Sequence, residues 1–296
     1  MLNKIRKLQL PVDLSLQLFD NLVLPVLLYG CEVWGYSDIT QIEVLHRKFI
    51  KILLGINAST PNVMVYGESG HFPVLNHVIC RMIAFYMRLE NGNHFKISYI
   101  MFQLMRIKVY HDNFEAPWID MVRNNLCRIG MRDIWEYQGL NFSTEYVKLA
   151  VKRRIMDIFL QDWSNELQHH DYCVTYRSFK KDWQLENYLV DLSYFHRLAI
   201  CKFRCRSNYI PISKTRFKNF NHDDLICPLC DIDEIADETH LLFNCPFFLD
   251  ERNKCFTSDA NLSVESLFIT ANVNLLKLAN FTQIIMDVFK ELHQNS

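Results

Sequence analysis

The second half of this 296-residue chain contains no glycine, since all eight lie at or before Gly139. Phosphate-cradling loops need glycine at fixed intervals, so a P-loop or dinucleotide fingerprint is excluded beyond that point, and the eight glycines present form neither pattern. Net charge is missing too. With 32 Lys and Arg against 33 Asp and Glu, the formal balance is -1, which gives no global basic signature for nucleic acid and no acidic tail. Long apolar runs are absent. The most apolar stretch, residues 22 to 31, is interrupted by Pro25 and flanked by Asp20, Asn21 and Glu32, too short to span a bilayer. The N-terminus, Met-Leu-Asn-Lys-Ile-Arg-Lys, lacks a signal peptide's apolar core because Gln9, Pro11 and Asp13 interrupt it. These absences predict a soluble, intracellular protein with no membrane partner. No Ser-His-Asp or paired-carboxylate spacing occurs, and no aromatic residue precedes paired aspartates in the polymerase manner. Neither an enzyme nor a small-molecule substrate is expected.

Half of the chain is apolar, enough for a sizeable core, and cysteine is plentiful at ten residues. Three of them stand out. Cys227-Pro-Leu-Cys230 is followed after nine residues by His240 and after four more by Cys245. Three thiolates and one imidazole at this spacing are the ligand set of a closed structural zinc site: the two-residue gap lets both thiolates of a tight turn face one ion, and His240 with Cys245 completes the tetrahedron. Zinc with no open coordination position has nothing to activate, so it builds a small fold instead of doing chemistry. The competing reading, a disulfide framework, needs an oxidising compartment that nothing else in the chain suggests. The other seven Cys, at 31, 80, 127, 173, 201, 205 and 255, read as buried apolar fillers.

The rest of the pattern is helical, and the expected fold is mainly α: a helical bundle with a CCHC zinc knuckle near the C-terminus. Leu14, Leu18, Leu22 and Val26 to Leu28 fall at helical spacing, with Pro25 bending that helix near its end. A second helix spans about Thr40 to Leu54, with Ile42, Leu45, Phe49, Ile52 and Leu53 on its apolar face, and Gly55 is suited to its C-cap. Helical faces continue through Val78, Met82, Phe85, Tyr86 and Leu89, from Pro117, through residues 147 to 167, and in a tail from Asn272 to His293 that is expected to pack on the chain's own core. The expected divisions are thumb-like helices over 1–57, a helical connector over 58–175, a basic helical arm over 176–222, the knuckle over 223–252 and a C-terminal helical segment over 253–296.

Charge is unevenly placed. Between Arg177 and Lys218 there are ten cations against three acids, while the knuckle from Asp223 to Glu251 has nine acids and no Lys or Arg. Tyr188, Leu192, Phe195, Ala199 and Phe203 share a helical face, with Arg197 and Arg204 opposite. Lys214, Arg216 and Lys218 then alternate near Phe217 and Phe220, an arrangement that suits a phosphate backbone with bases stacked beside it and equally suits a solvated surface with its aromatics turned inward. Lys202, Arg204, Arg206, Lys214, Arg216 and Lys218 are the candidate contacts for RNA or single-stranded DNA. The acidic knuckle, with three thiolates on its metal, is expected to orient the basic segment and not to grip phosphate itself. Asp223-Asp224 reads as a capping or turn element.

Two ordered groups of residues resemble non-LTR (LINE-like) retrotransposon reverse transcriptases. The first is Leu24-Pro-Val-Leu-Leu-Tyr-Gly-Cys-Glu-Val-Trp-Gly35, then Ile42-Glu43 through His46 and Phe49 to Leu53-Leu54-Gly55, then Val65-Tyr-Gly-Glu68, Gly70 and Pro73. It is similar to the thumb and the segment after it. The second is Ala199 to Arg206, Ile212 to Phe217, the four ligands, Asp237-Glu-Thr-His-Leu-Leu242, Cys245-Pro246 and Arg252, similar to that family's zinc-binding C-terminal region. Departures are Ser69, His71, and Thr215 in place of a glycine. The resemblance implies a thumb bundle packed against a template-primer duplex, with Arg47, Lys48 and Lys51 as candidate backbone contacts, or alternatively as the solvated face of a surface helix. It also implies a non-catalytic, nucleic-acid-binding portion of such an enzyme, because the aspartates of a two-metal polymerase site cannot be placed in this chain. The alternative is a zinc-stapled helical interaction module or a remnant without activity of its own, favoured if the basic arm pairs internally with the acidic knuckle.

Overall fold

The computed structural model describes residues 2–92, 95–111, 115–138, 142–216, 220–256, 263–269 and 274–295. Among them every named element is a helix or helical turn, and the one extended feature is an isolated antiparallel bridge between Ile226 and Ile235. No helix there is long and apolar enough to cross a membrane. The chain forms two compact units, each assembled from separated stretches: Met1–Leu18, Arg47–His71 and Ser164–Ser296 in one, Phe19–His46 and Phe72–Trp163 in the other.

In the first unit the helix Tyr194–Arg204 packs along the tail helix Leu275–Asn295, and Val174–Phe179 packs on Val264–Ile269. The tail therefore folds back on its own core, burying Leu278, Phe281, Ile285 and Phe289. Phe248 is buried against Phe281, whereas its neighbours Phe247 and Leu249 stay exposed. In the second unit Val74–Glu90 is the central helix. It buries Val78, Met82 and Tyr86 against Cys31–Trp34, Ile97–His111 and Pro117–Arg128. Pro at the first position of the last of these starts it without losing a hydrogen bond. Two contacts fix its loops: Trp118 Nε1 donates to the carbonyl of Glu32 at 2.7 Å, and Tyr86 OH to that of Ile134 at 3.3 Å.

Helix limits follow the sequence pattern more closely than the buried faces do. Thr40–Leu54 is found as expected and ends at Gly55 with φ +67. Yet it buries His46, Phe49, Ile50, Leu53 and Leu54, while Leu45 is exposed. The first apolar stretch is broken into Val12–Leu18, a wide turn at Phe19–Val23 and a short helix Leu24–Leu27, with Pro25 in its first turn. The breaks rotate the face: Leu16, Phe19, Leu24 and Leu28 are buried, whereas Leu14, Leu22 and Val26 point outward.

Gly70 permits a close backbone approach in the first unit. It has φ +58, and a Cβ there would lie 2.4 Å from the Leu185 nitrogen and 2.7 Å from the Gln184 carbonyl carbon. Its absence lets residues 184–186 run against the end of Asn62–Ser69, where Glu186 N donates to the Glu68 carbonyl. Gly130 shares the left-handed backbone, at φ +73, but faces open space with the nearest side-chain atom 4.0 Å away. Gly130→Ala is therefore expected to cost about 1 kcal/mol from backbone strain alone, and Gly70→Ala at least ~2 kcal/mol more because backbone must also move. Urea unfolding of the two variants beside the parent chain measures the difference.

Candidate metal centre

Cys227, Cys230, His240 and Cys245 converge: one ligand atom from each lies within 4.8 Å of the others. Among the described residues this is the one group of three or more His, Cys, Asp or Glu side chains placed to hold a metal ion. Local chain geometry brings them together. Cys227 N donates to the Glu234 carbonyl and Ala236 N to that of Leu225, which closes a short hairpin around the bridge between Ile226 and Ile235. Asp233, a residue type that tolerates the left-handed region, turns the hairpin at φ +59. His240 opens a helical turn, His240–Asn244, with its N–H held by Asp237 Oδ1 at 2.8 Å, and Cys245 N donates back to the His240 carbonyl at 2.7 Å. Arg252 closes the far side by donating to the carbonyls of Leu242 and Cys245 at 2.8 and 2.7 Å.

The distances suit a tetrahedral ion. Cys227 Sγ is 4.0 Å from Cys245 Sγ, and Cys230 Sγ is 3.4 Å from His240 Nε2; a tetrahedron with metal–sulfur bonds of about 2.3 Å separates two ligands by about 3.8 Å. Glu234 Oε2 lies 2.7 Å from His240 Nδ1. A carboxylate only accepts, so Nδ1 carries the proton and Nε2 presents its lone pair to the sulfurs. Burial pushes the Cys227 thiol up to about 12 and raises that of Cys245. The backbone N–H groups of Leu229 and Phe247 favour the thiolates of Cys227 and Cys245, but burial outweighs them, and a bound cation would reverse that balance. The remaining cysteines are free thiols, and burial raises Cys80 and Cys255 to about 11 and Cys173 to about 12, which makes them poor nucleophiles at neutral pH.

The six cations expected on nucleic acid do not form one exposed face, which corrects the reading of Tyr194–Arg204. Arg204 is fully buried. Its Nε donates to Glu68 Oε1 at 3.0 Å and its Nη2 lies 3.1 Å from Glu186 Oε2, with the Phe179 ring 4.5 Å from the guanidinium. Burial opposes its charge, and Glu68 and Glu186 outweigh that, raising its pKa well above the ordinary value. Arg206 is buried too, in a left-handed backbone at φ +49. It forks onto Glu238 of the knuckle, Nε to Oε1 at 2.5 Å and Nη2 to Oε2 at 2.9 Å, and reaches the Tyr172 carbonyl and Thr175 Oγ1 as well. Lys180, bound to Gln184 and Glu186, and Arg197, on the Leu10 carbonyl, are likewise internal. Phe195, placed on the apolar face by its spacing, is exposed instead. Lys202 is half-buried and Lys214 exposed. Arg216 ends the turn Pro211–Arg216 with its side chain outside the described residues, as is all of Lys218.

In the helix Thr40–Leu54, Lys51 donates to the carbonyls of Ala58 and Thr60, Arg47 is half-buried and Lys48 is exposed. Asp223 and Asp224 behave as a capping element, with Asn221 N donating to Asp224 Oδ2 in a reciprocal capping box. Glu68, Glu186, Glu234 and Glu238 are the site residues that sequence reasoning missed, because no local pattern separates them from other acids.

Comparison with protein-family models, with curated proteins and with solved structures finds no match to this chain.

Because Glu234 holds the His240 ring and Glu238 holds Arg206, the two acids have separable roles. Glu234→Gln is expected to weaken metal affinity about 10- to 100-fold. Glu238→Gln should leave that affinity within a few-fold of the parent while lowering stability by about 3 kcal/mol. Competition against a chromophoric chelator and urea unfolding read the two effects separately.

Proposed function

We propose that this chain is a zinc-stapled helical scaffold without catalytic chemistry of its own, corresponding to the portion of a LINE-like reverse transcriptase from the thumb region through the zinc-binding domain. The observation that carries the reading is the forked pair between Arg206 and Glu238. The basic arm meets the acidic knuckle inside the protein, so Arg206, a cation that would otherwise contact phosphate, holds the knuckle against the helices. Zinc is the ion that suits the site: three thiolates and an imidazole select a soft or borderline cation over calcium or magnesium, and four ligands at tetrahedral spacing leave no position for substrate. Within this reading Cys227, Cys230, His240 and Cys245 bind the ion, Glu234 orients His240, and Arg252 and Arg206 brace the two sides of the knuckle.

A second reading, contact with RNA or single-stranded DNA, is favoured by one observation. Asn208 donates to the Lys202 carbonyl at 3.2 Å and accepts from Ser213 Oγ at 2.7 Å, which ties the end of Tyr194–Arg204 to the turn that carries Lys214. Lys202 and Lys214 thus belong to one corner, from which the chain continues through Arg216 to Lys218. That corner would position a phosphate backbone without reading sequence.

Elemental analysis of the purified chain is expected to find one zinc per molecule, and its removal by a chelator to unfold the knuckle. Fluorescence anisotropy with labelled single-stranded RNA and DNA then separates the readings. The scaffold reading expects dissociation constants weaker than ~100 µM at physiological salt. Micromolar binding that weakens with salt, and that is lost in a Lys202→Ala, Lys214→Ala, Lys218→Ala triple variant, would establish the second reading in its place.

A further inference from the structure

The helix Ile97–His111 in the second unit is apolar on more than the side it buries. Phe102 faces the core, yet Ile97, Ile100, Leu104 and Ile107, at positions i, i+3, i+7 and i+10, form a ridge along the outside. Beside the ridge runs a groove of about 510 Å³ with Val33, Tyr36 and Met101 on its walls and Phe85, Phe102 and Trp118 at its floor. A helix with apolar residues on most of its circumference belongs in an interior, and contiguous exposed apolar surface of this kind marks an interface.

We propose that this face is the contact between two copies of the chain, related by a two-fold axis that lays the ridge of each copy into the groove of the other. Three observations point to a second copy over an unrelated partner. First, the face is self-complementary. A two-fold interface uses the same patch on both partners, so it needs a projection and a matching depression side by side, and the ridge and groove supply both.

Second, charge is divided across the groove. From Lys96 to His111 there is no Asp or Glu, and Lys96, Arg106 and Lys108 are the cations, of which Arg106 is paired with Glu90 at 2.8 Å. From Leu8 to His46 there is no Lys or Arg, and Glu32 and Asp38 flank the wall residues Val33 and Tyr36, with Glu115 at the rim. Arg88, exposed and stacked over Phe85, is a cation near the groove. The two-fold arrangement sets Lys96, beside the ridge of one copy, against Glu32 and Asp38, beside the wall of the other, a complementarity that specifies pairing.

Third, the area is of the right size. The four ridge residues with Val33, Tyr36 and Met101 are each 45 to 78% exposed, on the order of 750 Å² at roughly 200 Å² per fully exposed large side chain. A standard interface buries about 800 Å² on each partner.

Sedimentation velocity of the full, zinc-loaded chain from ~1 to ~100 µM tests the arrangement. The expected result is a monomer–dimer equilibrium with Kd in the micromolar range. Leu104→Lys should raise that Kd at least tenfold while the helical circular dichroism stays unchanged. Ile97→Lys, at the most exposed ridge position, gives the same readout should the first variant fold poorly. Lys96→Glu should weaken the dimer and reduce its sensitivity to salt. A chain that remains monomeric through the whole range, with the face left for a different protein, would overturn the proposal, and so would a dimer that neither ridge substitution weakens.

Discussion

Two arginines set two residues apart, at the end of a single helix, hold the first unit together. A guanidinium removed from water destabilises the fold by several kcal/mol unless acceptors, carboxylates above all, meet it. Arg204 meets Glu68 and Glu186, and Arg206 meets Glu238. The two point to different neighbours, so one helix end ties the segment Asn62–Ser69, the loop 184–186 and the knuckle to one another. Tyr188 OH adds to this by donating to Glu68, and Gly70 permits the close approach that puts Glu68 and Glu186 on the same guanidinium. Each contact is poor without the others. Glu68 is wholly buried, and its charge would be untenable without Arg204.

The knuckle is held by the same logic. A site made of three cysteines and one histidine, set in a segment with nine acids and no cation of its own before Arg252, needs positive charge from elsewhere. Arg252 arrives from the helix Leu249–Cys255 and Arg206 from just past the end of Tyr194–Arg204, and each meets groups that the turns leave open: the carbonyls of Leu242 and Cys245 in one case, the Glu238 carboxylate in the other. Charge that reads in the sequence as repulsion of phosphate serves in the fold as the socket for an arginine. The same acidity supplies Glu234, which selects the tautomer of His240 and so prepares its other nitrogen for a metal.

The second unit solves a different problem. Its core is aromatic, with Tyr86 between Trp135 and Phe102, and Trp118 beside Phe102, and it is well filled around the central helix Val74–Glu90. The apolar surplus lies outside. Breaks at Phe19–Val23 and at Gly30 turn Leu22, Val26 and Val33 outward, and the helix Ile97–His111 presents its ridge to solvent. Hydrophobic transfer favours covering such surface wherever geometry allows it.

Local features of this protein were legible in the amino-acid order alone. Four ligands at turn-compatible spacing predict the metal cluster, because hairpins and single helical turns are decided within a few residues. Thr40–Leu54 with Gly55 after it, the helix begun by Pro117 and the tail that packs on its own core follow from periodicity and capping for the same reason. What the tertiary structure decided is which charges face water. Arg204 and Glu68 are 136 residues apart and Arg206 and Glu238 are 32 apart, so no local pattern reports that these cations will meet acids. Helical spacing places Arg204 opposite an apolar stripe and therefore outside. The structure turns that face inward, because carboxylates from distant segments make burial of the guanidinium favourable, and Phe195 is left in solvent in exchange.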